Sequence, residues 1–288
     1  MIENIEKLER IIREIANEKC SFGNKLLYDM CINKEGQEWN NVNLLADKIW
    51  LIGRSYAASP ERRYTFKPEY KDAARTRDNA GDGTGKYFTS VAEYIINSSK
   101  VSPHIINSLK NGYLFDFSQS DCEHLFDGIN SVLELNDLIV KAYADYDGQE
   151  FANKVNYRNQ VSFCSKFLHF HFPDTVFITD GFSKVGASCL FPKGAKKDAE
   201  INWKNDRVKI SNKSNPKGAM DLVHSCRKFE EIFAVGCRAL KTHEVEYAEH
   251  CLRAYKTACL FKMFLGNEIP SCSYPRIVDI LLLNIKAK

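Results

Sequence analysis

Apolar residues at Ile2, Ile5, Leu8, Ile11, Ile12 and Ile15 recur at the spacing of one helical face, which predicts an amphipathic helix over residues 2–18. A shorter helix is expected over 25–33. Asn40-Asn41 stands before Leu44, Leu45, Ile49, Trp50 and Ile52 and is placed to cap a third helix that runs toward Pro60. Helical periodicity returns at about 88–98, 102–110, 121–143, 219–240 and 243–265. A last helix follows Pro275, with Ile277, Ile280, Leu281, Leu283 and Ile285 on its apolar side. Asp147-Gly148-Gln149-Glu150 has the N-cap and N3 pair of a capping box and opens a further helix before Phe151. Carried unbroken to Pro173 that helix would exceed 25 residues, so a break is expected at the polar Asn156-Tyr157-Arg158-Asn159, giving helix, short turn, helix. The chain therefore reads as mainly α with a few short extended pieces.

Composition adds a substantial core and little else. The chain has 288 residues, 44% hydrophobic and 12% aromatic, enough for one large domain or two modest ones. The division expected is an N-terminal helical lobe over 1–145 and a second lobe over 146–288, two helical lobes around a cleft. Ten scattered cysteines behind a charged, amphipathic start predict reduced thiols in a cytoplasmic protein. The longest clean apolar run, Ile280-Leu281-Leu282-Leu283, is far too short to span a membrane. Net charge is only +3, but residues 192–218 carry eight Lys/Arg against three Asp/Glu. Lys193, Lys196, Lys197 and Trp203 in that segment suit a phosphate-gripping surface with one aromatic platform, or a solvated lysine-rich loop. Residues 61–86 are polar, and their GDGTGK piece lacks both the leading glycine and the trailing Ser/Thr of a phosphate loop.

One stretch organises the rest: VSFCSKFLHFHFPDTVFITDGFS, residues 161–183. It sets Lys166 on an apolar helix that Pro173 ends. An extended apolar step or short strand, Val176-Phe177-Ile178-Thr179, then delivers Asp180 beside Gly181 at a new helix start. A lysine attacks only when neutral, and an apolar wall of Phe163, Phe167, Leu168 and Phe170 favours that form. A fixed carboxylate stabilises the positive charge that builds on a sugar as its glycosidic bond breaks, or orients the attacking water. The plainer readings are an N-cap for Asp180 and a snorkelling lysine for Lys166.

This stretch resembles the catalytic segment of the helix-hairpin-helix DNA glycosylase superfamily. Lys166 falls at that family's lysine position, and Ile178-Thr179-Asp180 at its aspartate position. Ile49 through Tyr56 resembles the family's earlier helix, whose polar end approaches the lesion. The two hairpin glycines are replaced, with Ser162 and Cys164 nearest their places. The resemblance implies a helix-hairpin-helix glycosylase-like fold, duplex DNA with a flipped base as partner, and catalysis by Asp180 and Lys166 without a cofactor or metal. Beside it, Arg54, Arg62 and Arg63 are placed to form a second contact strip with the basic segment, and Tyr56, Ser165 and, one turn beyond Lys166, His169 are further candidates for nucleic-acid contact. The substrate would be a damaged or modified base, in repair or in anti-phage defence. The alternative is a helical nucleic-acid-binding protein without chemistry.

Other chemistry recedes on spacing. Cys122/His124 and His243/His250/Cys251 lack the paired arrangement of a zinc site. His169 and His171, two apart on a helix, face different ways. Cys164 sits in an apolar context that suits a buried, inert thiol.

Overall fold

The computed structural model describes residues 2–18, 22–32, 37–56, 58, 60, 64–70, 86–98, 101–110, 120–191, 199–203, 206–210, 242–270 and 272–286. The protein is mainly α, with eleven α-helices and two small antiparallel sheets among these residues. The helices are α1 (Ile2–Asn17), α2 (Phe22–Cys31), α3 (Val42–Ser55), α4 (Lys86–Asn97), α5 (Val101–Lys110), α6 (Ser120–Asp147), α7 (Gln149–Ala152), α8 (Val161–His171), α9 (Gly181–Leu190), α10 (Thr242–Leu265) and α11 (Tyr274–Leu283). The strands are β1 (Tyr64–Phe66), β2 (Val155–Tyr157), β3 (Ala199–Trp203), β4 (Asp206–Ile210) and β5 (Ile285–Lys286). No helix among the described residues is long and apolar enough to cross a membrane. The expected helix over 219–240 and the GDGT piece lie outside the described residues.

The chain divides into two compact units. One comprises Met1–Asn24, Gly112–Ile129 and Phe172–Lys288; the other comprises Lys25–Asn111 and Asn130–His171. The boundary expected at 145/146 falls inside α6.

In the unit formed by Lys25–Asn111 and Asn130–His171, α8 is the core helix. Ten of its 11 residues are buried, with Ser162 half-buried, and it lies against α3. Asn41 caps α3 as its position predicts, its side chain accepting from Leu44 N at 3.1 Å. Gly53 sits where α3 meets the Pro60 corner; a Cβ there would lie 2.7 Å from Pro60 Cδ. The Pro60 carbonyl accepts from the hydroxyls of Tyr87 (3.0 Å) and Tyr143 (2.9 Å), tying α4 and α6 to that corner. Buried backbone acceptors of this kind must find partners, and two tyrosines supply them here.

The approach to α8 differs from the helix–turn–helix that the sequence predicts. Asp147 is the last residue of α6, not an N-cap, and its carboxylate accepts from Tyr157 Oη at 3.2 Å. Gly148, at φ 80°, stops the helix in a conformation that disfavours any side chain. The capping box is therefore absent, and α7 is a single turn of four residues. Beyond it the chain extends as β2, whose partner β1 comes from the polar 61–86 segment. The register is Tyr64↔Tyr157, Thr65↔Asn156 and Phe66↔Val155. Asn159 Oδ1 then accepts from Val161 N and Asn136 Oδ1 from Gln160 N, both at 2.7 Å, to start α8.

In the other unit α1 packs against α10, α11 and β4, and α9 packs against α10, α11 and β5. Glycines allow two close approaches. A Cβ on Gly186 of α9 would overlap the carbonyl oxygen of Leu282, and one on Gly128 of α6 would lie 2.8 Å from that of Thr175. Tyr255 Oη donates to the buried Asp121 at 2.7 Å, fastening α10 to the start of α6. The sheet runs β4-β3-β5, all antiparallel. Its hairpin comes from the basic segment: Ala199, Ile201 and Trp203 alternate with polar residues, and Ile201 pairs with Val208. Cys31, Cys164, Cys189, Cys251 and Cys259 are free thiols. Cys272 departs from the reduced state expected of all ten: it is disulfide-bonded.

Candidate functional site

Lys166 lies one turn into α8 and is 4% exposed. Its Nζ donates to Ser162 Oγ at 3.3 Å and stands 5.8 Å from the centroid of the Tyr56 ring. Tyr56 caps the C-terminus of α3, where its backbone N–H reaches Ile52 O, and so leans its ring over α8. Rings continue the contact: Tyr56 to Phe170 at 5.3 Å, and Phe170 to Tyr28 at 4.9 Å. The Tyr28 hydroxyl shares a 2.6 Å hydrogen bond with Nε2 of His169. The structure thus gathers Lys166, Tyr56 and His169 from the sequence-selected set, and adds Tyr28, which no sequence signal marked.

Much of this group is sealed. Ser165 and His169 are fully buried, and Ser165 donates to the Ser162 carbonyl at 3.1 Å. Burial drives His171 down to about 3; this neutral ring donates from Nδ1 to Phe167 O at 2.8 Å. Burial also pushes the Cys164 thiol well above its usual range, which keeps it unreactive. Ser162 and Cys164 lie within α8, so the turn in which a hairpin would present backbone amides to a phosphate does not occur at those positions.

Asp180 belongs to the other unit. It is the N-cap of α9, with extended backbone at φ −150°, ψ −179°. Its Oδ1 accepts from Ser183 N at 2.8 Å, and its own N–H donates to Ser183 Oγ at 3.0 Å, a reciprocal capping box. The carboxylate is half-buried, while the next two residues are exposed, Phe182 to 78%. Val176 through Thr179 do not form the expected strand. Those residues are buried, and two of their carbonyls, those of Phe177 and Ile178, pair with side chains of α10. Tyr247 Oη donates to Phe177 O at 3.3 Å, and His250 Nε2 donates to Ile178 O at 2.9 Å.

The same face of α10 continues along α9. Glu246 stands 3.7 Å from Lys184, and Arg253 Nε donates to Phe191 O at 3.2 Å beyond the end of α9. Residues 246, 247, 250 and 253 share one helical stripe, a spacing visible in the sequence once its target is known. Desolvation of the buried His250 pulls it down to about 4; the Ile178 carbonyl opposes the shift, as does Asp180, while Lys184 and Arg253 add to it. Among the described residues its Nδ1 meets no donor.

The remaining selected residues are dispersed. Arg54 is exposed near the end of α3. Trp203 ends β3, opposite Asp206. Arg62, Arg63, Lys193, Lys196 and Lys197 lie outside the described residues. Compared with protein-family models, with curated proteins and with solved structures, the chain matches none.

Proposed function

We propose that the protein is a DNA glycosylase. It turns a damaged or modified base out of duplex DNA and cleaves the bond between that base and its sugar, in repair or in anti-phage defence. The observation that carries this reading is Asp180: a half-buried carboxylate, fixed by reciprocal hydrogen bonds, at a helix start whose next two residues are exposed. A substrate can reach such a group, and the group does not reorganise to meet it.

As the glycosidic C1′–N bond breaks, its electron pair leaves with the base and positive charge develops on the sugar. Asp180 stabilises that charge. Water then adds at C1′ and leaves an abasic site. In the lysine variant of the reaction the neutral Lys166 amine adds at C1′ instead as the base departs and gives up a proton. The C1′–O4′ bond then opens and O4′ is protonated. The resulting Schiff base loses its C2′ proton and expels the 3′ phosphate by β-elimination, which nicks the strand.

The test uses the fact that asparagine caps a helix about as well as aspartate. Asp180→Asn should keep stability within about 0.5 kcal/mol and lose base release, read by mass spectrometry on normal and phage-modified DNA. Asp180→Ala should lose both activity and about 1 kcal/mol of stability. Full activity in Asp180→Asn rejects the assignment. The burial of Ser165, Lys166 and His169 favours a second reading, a helical protein that binds nucleic acid without chemistry. Salt-sensitive DNA binding with no base released from any substrate would select it.

A further inference from the structure

We propose that His250 is a positioning residue for Asp180, holding the carboxylate's approach segment from α10. This deepens the glycosylase reading and rests on it for its catalytic consequence, though not for its structural one. The segment 176–179 is buried, and the carbonyls of Phe177 and Ile178 within it are met by side chains of α10. His250 supplies a bond close to the carboxylate, at the carbonyl two residues before Asp180, from a side chain 1% exposed. Tyr247 holds the carbonyl before that, and Arg253 holds the far end of α9 at Phe191. The α9 helix and its N-cap are therefore gripped at both ends by one face of α10.

His250 has the chemistry for the task. Its neutral ring at physiological pH presents Nε2–H to Ile178 and brings no cation beside the carboxylate. The charged groups acting on it are Asp180, Lys184 of α9 and Arg253 of α10, so the imidazole and the carboxylate sense each other directly. Losing the Nε2 donor frees the Ile178 carbonyl and with it the entry into the capping box. A displacement of about 1 Å at a catalytic group costs on the order of a hundredfold in rate.

The test compares His250→Phe, which removes the donor, with His250→Gln, whose amide nitrogen replaces Nε2. Hydrogen exchange at the Ser183 amide, the donor to Asp180, reads the geometry without any reaction. It should quicken about tenfold or more in His250→Phe and return toward the native rate in His250→Gln, with mid-α10 amides such as Ala254 unchanged in both. In base release, kcat should fall about tenfold or more in His250→Phe with KM little changed, and His250→Gln should recover it. Native Ser183 exchange in a folded His250→Phe overturns the proposal. If that variant does not fold, His250→Asn, whose amide stops short of the carbonyl, takes its place with the same expectations. If the native protein releases no base, the catalytic reading of Asp180 falls, and Ser183 exchange alone decides the role of His250.

Discussion

His171, His250 and Lys166, all buried, dominate the residue scale. An imidazole in the unfolded chain takes up its proton near 6.5, whereas His250 does so only at about 4 and His171 at about 3. Between those values the unfolded state binds more protons than the folded one. Stability therefore rises with pH through this window and is complete above it. Urea midpoints should hold from pH 8 to 7, then fall from about pH 6.5 toward 4, with a total loss on the order of a few kcal/mol. A flat profile between pH 7 and 4 would contradict this burial. Lys166 poses the opposite question, because an amine kept inside an aromatic helix costs desolvation that a methionine would not. Lys166→Met should leave stability unchanged or raise it by about 1 kcal/mol. Under the lysine variant of the mechanism it should also abolish borohydride trapping on DNA. A clear loss of stability in Lys166→Met would show that the amine's contacts with Ser162 and Tyr56 outweigh its burial.

At the scale of elements, α9 is the most constrained piece. Its backbone meets that of α11 at Gly186, where a methyl group would occupy the Leu282 carbonyl. Gly186→Ala should cost about 1–3 kcal/mol through overpacking, despite alanine's better helix propensity. Differential scanning calorimetry reads the sign, and any gain in Tm would refute the close packing. The start of α9 was legible, because Asp180 before Gly181 and Ser183 is a cap signal that needs no tertiary partner. Asn41 before α3 and Pro275 at the start of α11 were legible for the same reason. The α7–β2 region was not. Its residues carry a helical start signal, but Gly148 at positive φ breaks the chain, and β1, about ninety residues earlier, captures the next segment. Local propensity yields there to a distant strand. Val176–Thr179 misled in another way. A buried apolar run reads as a strand, yet its hydrogen bonds go to Tyr247 and His250, which no local pattern reveals. For the same reason the sequence singles out Asp180 and Lys166 as candidates but not the α10 stripe that bonds the segment leading to Asp180.

For the whole molecule, the order of the chain and the composition of its compact units diverge. One unit draws on Met1–Asn24, Gly112–Ile129 and Phe172–Lys288, and the other on Lys25–Asn111 and Asn130–His171. A cut at 145/146 therefore leaves neither unit whole. Fragment 1–145 would lack α8, the helix that fills the core around α3, and the large apolar surfaces of Phe163, Phe167 and Phe170 would be lost to it. Fragment 146–288 would lack α1, which covers α10, α11 and β4, and Asp121, which satisfies Tyr255. Each fragment would then expose apolar faces that no remaining element among the described residues covers, and a chain in that condition cannot offset its conformational entropy. Expressed alone, both fragments should unfold without a cooperative transition in urea; mixed at equal concentration, they should recover one. A sigmoidal transition with native-like amide protection in either fragment by itself would show that the units are consecutive lobes after all.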